Sequence, residues 1–200
     1  MSNPVNRQFI ESNRLTEKVE RKEIDYKDAV LELEKILKYT MKNFKGDIYR
    51  IPYKEEFIIL NCMAIYCRHS GNREEAKRLY GQLLKKYEES GTEEIHHNVP
   101  LFLLYINYTG LLEVMDELEE AERIGKRGLQ LMAESQRGDA AAKLLGNISC
   151  IHEKKGTVKD NELCELCMRQ SYWLQVLYHL EKDSLIIKEL YEKKYDKKLD

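Results

Sequence analysis

A small residue recurs at the same place in a two-helix pattern along this chain, and this repeat constrains the fold more than any other feature. The four positions are separated by 47, 45 and 43 residues: Ala29, Ala76, Ala121 and Cys164. Around them, apolar residues recur at helical spacing, as in the runs 53–69 and 73–89. Small residues allow helices to cross closely, so a regular period of this kind predicts an all-α, right-handed α-solenoid of stacked helical hairpins.

Glycine and proline indicate where the helices begin and end. Pro52 and Pro100 stand just before long apolar runs, and Gly71 and Gly156 interrupt helical periodicity midway. Between these breaks the sequence predicts a single domain over residues 1–200, with the following parts: a partial hairpin at 7–44 whose second helix covers 25–44, full hairpins at 53–90, 100–135 and 139–180, and a capping helix at 183–197.

Composition excludes several classes of function. The formal net charge is −2, so the chain lacks the positive excess that binding to phosphate backbones requires, and we expect no direct nucleic-acid binding. No stretch approaches 18 consecutive apolar residues, and no signal-peptide pattern occurs at the start. These features predict a cytoplasmic protein that does not bind membranes.

The turn sequences resemble those of the tetratricopeptide repeat (TPR). In that family a glycine ends the first helix and an acidic pair followed by alanine begins the second, as in GNREEA at 71–76 and, partly, DYKDA at 25–29. The usual period is about 34 residues. The longer period here implies longer helices and longer loops between TPR-like hairpins.

Elongated repeats closed by a short helix are similar to the C-terminal sensor domain of Gram-positive helix-turn-helix regulators of the peptide-responsive Rgg/PlcR type. In those regulators a DNA-binding domain precedes the repeats. Nothing upstream of residue 53 reads as a compact unit with a recognition helix. The resemblance therefore implies either a fragment of a regulator or a stand-alone relative.

One asparagine stands on an apolar face in the first helix of each of the three full hairpins, and these residues form the candidate ligand site. First helices line the concave surface of such a solenoid, and an amide can both donate to and accept from an extended peptide. The candidate groove residues are Asn61, Ile65, Arg68, Leu104, Asn107, Leu111, Asn147 and Ile151. The alternative is that the asparagines bond neighbouring loops or the preceding helix.

A different TPR groove, the carboxylate clamp of chaperone adaptors, does not match. That clamp holds a C-terminal carboxylate with lysine, arginine and asparagine on its first helices. The corresponding faces here carry Ile65, Leu111 and Ile151, with basic residues only near the helix ends. We therefore expect no chaperone-tail receptor.

No cofactor or metal is expected. Cys150, His152, Cys164 and Cys167 could supply four zinc ligands, but the last two fall on a helix instead of a turn, which favours packed thiols over zinc or a redox pair. The pair His96-His97 reads as part of a solvated loop. No phosphate loop, nucleophile elbow or acid–base cluster occurs, so an enzyme is not expected.

Two features near the carboxyl end complete the predictions. The run 190–200 alternates lysine with acidic residues, which favours a polar closing helix with Leu190, Tyr191 and Tyr195 on its inner face over a basic tail. Trp173 is expected in the core, with stacking on a groove floor as the alternative.

These observations together predict a binding protein. The leading hypothesis is a ligand-sensing and dimerisation domain of a cytosolic transcriptional regulator, with a short peptide or a protein segment in its groove and a possible homodimer. The ligand would act by favouring one curvature of the solenoid. The alternative is a stand-alone adaptor that scaffolds other proteins.

Overall fold

The computed structural model describes residues 3–90 and 99–199, and the chain divides into two compact units, Met1–Thr92 and Glu93–Asp200. The described residues form nine α-helices and no strand, which confirms the all-α prediction. The first unit contains α1 (Pro4–Glu20), α2 (Tyr26–Leu37), α3 (Lys54–His69) and α4 (Arg73–Ser90). The second contains α5 (Val99–Val114), α6 (Leu118–Glu134), α7 (Gly138–Lys155), α8 (Val158–Leu177) and α9 (Glu181–Tyr195). The predicted loop at His96-His97 lies outside the described residues.

Side-chain caps and a left-handed glycine set several helix ends. The Asp25 and Thr157 side chains accept from the backbone N–H groups of Asp28 and Asp160, at 2.9 and 3.1 Å. Gly156 ends α7 with φ of 68°, a conformation that glycine adopts without a steric penalty. Most helix ends therefore fall within a few residues of the positions that the sequence predicts.

The predicted helix over 25–44 is too long, because α2 ends at Leu37. The chain continues in tight turns in which Tyr39 N–H donates to Ile36 O at 3.1 Å and Phe44 N–H to Met41 O at 3.0 Å. Met41 and Phe44 are nevertheless fully buried. Met41 and Phe44 thus keep helical spacing in the sequence but lie in a non-helical connection that packs on the core.

The small residues that define the repeat lie at buried helix crossings. All four have no exposed surface: Ala29, Ala76, Ala121 and Cys164. Each belongs to the second helix of a pair that packs together, namely α1–α2, α3–α4, α5–α6 and α7–α8. The hairpin prediction is confirmed at its defining positions.

A buried ion pair fixes the entry into α3 in the first unit. The Glu56 carboxylate is 1% exposed and accepts from both terminal nitrogens of Arg50, at 2.6 and 2.8 Å. It also accepts from Tyr53 N–H at 2.8 Å, which completes the helix start. Three N–H donors to one carboxylate compensate much of the cost of burying its charge.

The last helix packs against α8 in the second unit. Its buried contact consists of Cys164 and Met168 from α8, Tyr191 from α9, and Leu199 from the following tail. The outer surface of α9 differs from the prediction of a polar closing helix, because Leu190 is 53% exposed. Trp173 is 47% exposed on α8, which overturns its placement in the core.

The described helices also include none with the length and apolar character needed to cross a bilayer.

Candidate functional site

Three helices of the second unit, α5, α7 and α9, are related by a spacing of 40 residues. Lys154 on α7 bonds the Glu113 carboxylate of α5 at 2.9 Å, and Lys194 on α9 bonds the Glu153 carboxylate of α7 at 2.7 Å. Helices α7 and α9 run in the same direction, because Lys143 near the start of α7 lies 3.6 Å from Asp183 near the start of α9. Helix α9 therefore occupies the place of a first helix in a further hairpin.

The α5–α7 interface is closed around Asn147. Asn147 Nδ2 donates to the backbone carbonyl of Ile106 at 2.8 Å. A Cβ at Gly110 would lie only 3.3 Å from that same nitrogen, so the missing side chain is what admits the asparagine. Where Asn147 packs against Gly110, no room is left for a ligand between the two helices.

The α7–α9 cleft is open. Helix α9 packs on α8 but makes few direct contacts with α7, and a cavity of about 700 Å³ separates them. This volume is within the range of about 300–1,000 Å³ that is typical of ligand sites. At 40 residues beyond Asn147 and Gly110, the corresponding positions carry Ile187 and Cys150.

The two walls of the cleft differ in chemistry. The α7 wall is largely polar and is formed by Lys143, Gly146, Asn147, Ser149, Cys150 and Glu153. The α9 wall is apolar in its middle and charged at its ends, and is formed by Asp183, Ile186, Ile187, Leu190, Lys193 and Lys194. Met168 and Gln175 of α8 also line it. This arrangement suits a ligand with one polar and one apolar edge.

Charge is held at the ends of the cleft. Burial opposes the positive charge of Lys194, but its bonds to Glu153 and to the Cys164 sulfur outweigh that effect and raise the lysine pKa. At the other end the Lys143–Asp183 pair joins the two helices. The ends are therefore bridged while the middle stays open.

The structure brings two of the three predicted asparagines together. Asn147 bonds the carbonyl of Ile106, the residue that precedes Asn107, so these two amides lie on neighbouring first helices. Asn147 is half-buried and lines the cleft, but one of its amide hydrogens is used inside the protein. Asn61 is on α3 in the first unit and is 9% exposed. Asn147 thus bonds the preceding helix, as the alternative hypothesis states, and ligand contact in the cavity that it lines stays a prediction.

Three of the predicted apolar groove residues have to be corrected. Leu104, Leu111 and Ile151 have no exposed surface, so they pack in the core and present nothing to a ligand. These three side chains pack against neighbouring helices and are not open to a ligand. Ile65 and Arg68 are half-buried on α3 in the first unit and remain predictions.

The structure does not support the zinc alternative. Within residues 3–90 and 99–199, no three histidine, cysteine or acidic side chains lie together in a group that could hold a metal ion. His152 is 3% exposed and its Nδ1 lies 2.8 Å from an Asp160 oxygen, which ties α7 to the start of α8. Cys164 and Cys167 are buried on α8.

Sequence reasoning missed the α9 wall of the cleft. The run 185–190 places Leu185, Ile186, Ile187 and Leu190 on more than one face of a short helix. A closing helix that only shields its neighbour needs one apolar face. The apolar residues on a second face of α9 were therefore the sequence feature that could have indicated the cleft wall. Leu185 and Ile186 are 59% and 56% exposed.

Comparison with known proteins gives results at the level of structure alone. No family model matches the chain, and no curated protein matches it.

Among solved structures, the chain is similar to PlcR of Bacillus thuringiensis. The TM-score is 0.72 for PlcR in its apo form, with 16% identity, over 94% of this chain and 64% of PlcR. It is 0.74 for PlcR in complex with the peptide PapR7 and DNA, with 15% identity, over 94% of this chain and 62% of PlcR. The chain thus spans somewhat less than two thirds of PlcR.

The chain is also similar to the TPR-like repeats of a putative kinesin light chain from Podosopora anserina. The TM-score is 0.56 with 11% identity, over 96% of both chains. At such low identities the likeness concerns the fold. It confirms the TPR-like solenoid class and the resemblance to the PlcR type of repeat domain.

Proposed function

We propose that this protein binds a short peptide or an extended protein segment, and that the α7–α9 cleft is the binding site. The observation that carries the proposal is the open cavity of about 700 Å³ at a position where the preceding pair of first helices is closed. Asn147 lines one wall of this cavity, which supports ligand contact by its amide.

An extended peptide matches the two unlike walls. Its backbone has a donor and an acceptor in every residue, which the carbonyl oxygen and the remaining amide hydrogen of Asn147 on α7 can bond. Its side chains need apolar surface, which Ile186 and Leu190 on α9 supply. A purely apolar ligand would leave the α7 wall unpaired, at a cost in desolvation.

The regulator hypothesis adds a mechanism. PlcR has been crystallised with a peptide and DNA, and the likeness to it supports a sensor domain of a cytoplasmic transcriptional regulator that dimerises and leaves DNA binding to another domain. A ligand that bridges α7 and α9 favours the arrangement of these helices that it fits best. Only such differential affinity shifts the population of two states.

The adaptor hypothesis remains the second candidate. The kinesin light chain repeats are matched over nearly their whole chain, which supports a role for the repeats without a DNA-binding domain. The two hypotheses differ in the expected ligand, because an adaptor binds a segment within a larger protein. Tight binding of free short peptides supports the sensor, whereas binding only of segments embedded in a folded protein supports the adaptor.

A substitution that fills the cleft tests the proposal. A Cβ at Gly146 would meet only the Ser171 hydroxyl, at an ordinary contact distance of 4.0 Å, and Gly146 lines the cleft, so Gly146→Leu adds side-chain volume there. We expect it to weaken binding of a pool of short hydrophobic peptides by about tenfold or more, since the added volume excludes the ligand. Ala133→Leu, on an exposed position of α6, is the control.

Calorimetric titration of both variants distinguishes the outcomes. If Gly146→Leu binds the pool as tightly as the unmodified chain, the cleft is not the site. A second variant, Asn107→Ala combined with Asn147→Ala, tests the asparagines separately, and unchanged affinity there removes them from the mechanism while leaving the cleft in place.

A further inference from the structure

We infer that the α7–α9 cleft selects an aliphatic segment of about four or five residues that carries a carboxylate at the end beside Lys193. This inference rests on the proposed function and specifies the ligand of the same site. It depends on one unpaired charge, one unpaired buried acceptor and the distance between them.

The unpaired charge is that of Lys193. Two of the three lysines that line the cleft have carboxylate partners, Lys143 with Asp183 and Lys194 with Glu153. No carboxylate among the described residues forms an ion pair with Lys193. The cleft thus presents one ammonium group that a ligand carboxylate can pair, at the end where α9 finishes.

The unpaired acceptor is the carbonyl oxygen of Gln175, whose side chain is 3% exposed. Ser171 Oγ donates its only hydrogen to Ala142 O at 2.7 Å, so it must act as the acceptor toward Gln175. The Gln175 group at 3.0 Å from it is therefore the NH₂, and Oε1 is the oxygen left without a donor in residues 3–90 and 99–199. This oxygen has almost no surface open to solvent, so a ligand N–H pairs with it when the Gln175 amide turns toward the cleft that the residue lines.

These two groups lie at opposite ends of the cleft. Helices α8 and α9 run in opposite directions, because Tyr191 late in α9 bonds Glu165 early in α8 at 2.8 Å. Gln175, late in α8, consequently lies near the start of α9, where Asp183 also lines the cleft. From Asp183 to Lys193 the helix rises about 15 Å, at 1.5 Å per residue.

An extended chain covers about 3.3–3.6 Å per residue, so four or five residues span this distance. Between the two ends the wall is formed by Ile186, Ile187 and Leu190, with Met168 from α8. These side chains offer no hydrogen bond, so they accept aliphatic side chains in preference to polar ones. The segment therefore has its amino side at Gln175 and its carboxylate at Lys193.

Synthetic pentapeptides with leucine, isoleucine or phenylalanine at alternate positions and serine between them provide the probe. Each sequence is prepared in four forms: a free terminal carboxylate, a terminal carboxamide, a carboxamide that follows a final glutamate, and a carboxamide that follows a final glutamine. Affinities are measured by calorimetry on the full chain and on Lys193→Gln. The matched control is Lys182→Gln, an exposed lysine of α9 outside the cleft.

We expect the carboxylate-bearing forms to bind roughly fivefold more tightly than the neutral forms, and Lys193→Gln to abolish that difference while Lys182→Gln preserves it. Preference for the free terminus identifies a chain-end carboxylate, and preference for glutamate identifies a side chain. Equal affinity of all four forms overturns the inference but leaves the proposed function standing. Absence of binding by every form overturns both.

Gln175→Met tests the other end of the cleft, because methionine keeps the length of the side chain but lacks the carbonyl. We expect about a tenfold loss of affinity for the same peptides with an unchanged preference for the carboxylate forms. Ser171→Ala removes the hydrogen bond between these two residues while keeping the Gln175 carbonyl, and so controls for a structural effect. Unchanged affinity in Gln175→Met, or an equal loss in Ser171→Ala, contradicts the role of the Gln175 oxygen.

Discussion

The α5–α7 interface and the α7–α9 cleft are built on the same 40-residue spacing, yet one is filled and the other is open. The same lysine–glutamate pair joins both, as Lys154–Glu113 in the first case and Lys194–Glu153 in the second. The difference lies between these pairs. A polar clamp at the end of two helices sets their register, whereas the side chains in the middle decide whether they close.

Two differences within the repeat coincide with the opening. The glycine and asparagine that interlock between α5 and α7, Gly110 and Asn147, are replaced at the next step by Cys150 and Ile187. The isoleucine cannot donate to a backbone carbonyl on the facing helix. Close packing of α7 against α9 therefore lacks the stabilising side-chain hydrogen bond that Asn147 makes between α5 and α7.

The largest expected effect separates the packed core from the cleft wall. Leu111 is fully buried in α5. Leu111→Ala should lower the free energy of unfolding by about 2–5 kcal/mol, because the smaller side chain leaves a cavity. Leu190→Ala, at a residue of the α9 wall that is 53% exposed, should change stability by less than about 0.5 kcal/mol. Urea unfolding of the two variants measures both, and similar losses would show that the cleft wall is core.

Acidification should weaken the contact between α6 and α7 through Glu122. Hydrogen bonds from Lys126 and Lys155 lower the pKa of this carboxyl from 4.5 to about 2. A depressed folded-state pKa contributes stability that is complete above about pH 4.5 and is lost as the pH falls toward 2. Glu122→Gln should remove this contribution, on the order of 1–3 kcal/mol, and flatten the dependence.

The measurement is the free energy of unfolding from pH 7 to pH 2 for the unmodified chain and for Glu122→Gln. The two curves should converge at the acid end. Parallel curves over this range would mean that the Lys155–Glu122 pair, at 2.6 Å, does not stabilise the fold.

Removing the Asn147 amide should loosen the closed interface modestly. Asn147→Ala loses the 2.8 Å hydrogen bond to Ile106 O, for an expected cost of about 0.5–1.5 kcal/mol. Asn161→Ala, at an exposed position in the first turn of α8, controls for the higher helix propensity of alanine. Equal stabilities in thermal unfolding of these two variants would show that the bond contributes nothing.

The smallest effect compares two glycines. Gly146→Ala should stabilise the chain by about 0.5–1 kcal/mol, because alanine favours the helix and its Cβ would make only an ordinary contact, 4.0 Å from Ser171 Oγ. Gly110→Ala should gain less or lose stability, because its Cβ would press on Asn147 Nδ2 at 3.3 Å. The difference in melting temperature between the two variants reports directly on how closely each helix pair approaches.

Much of the fold follows from the sequence because it depends on local patterns. Ala76 and Cys164 could be placed at helix crossings, since only small residues fit there and the period fixes where they recur. The connection after Leu37 could not be predicted, because Met41 and Phe44 keep helical spacing while tertiary packing decides the backbone.

The candidate site was predictable only in part. Asn147 stood out as an amide on an apolar helix face, and the structure places it on the wall of the cleft. Leu111 and Ile151 looked equally suitable but are core residues, because periodicity shows which residues share a face and not how wide that face is exposed. The cleft itself arises from a gap between α7 and α9, which no local pattern encodes.

The most direct test of the central claim uses two cysteines of this chain. Cys150 is exposed and lines the α7–α9 cleft, whereas Cys62 is half-buried on α3 in the other unit and serves as an internal control. Alkylation by iodoacetamide is followed by mass spectrometry with and without a saturating concentration of the tightest-binding pentapeptide. We expect the peptide to slow alkylation of Cys150 by about tenfold or more, in line with the large fraction of a ligand's surface that such a site buries, and to leave Cys62 unchanged. An unchanged rate at Cys150 while the peptide is bound would contradict the account.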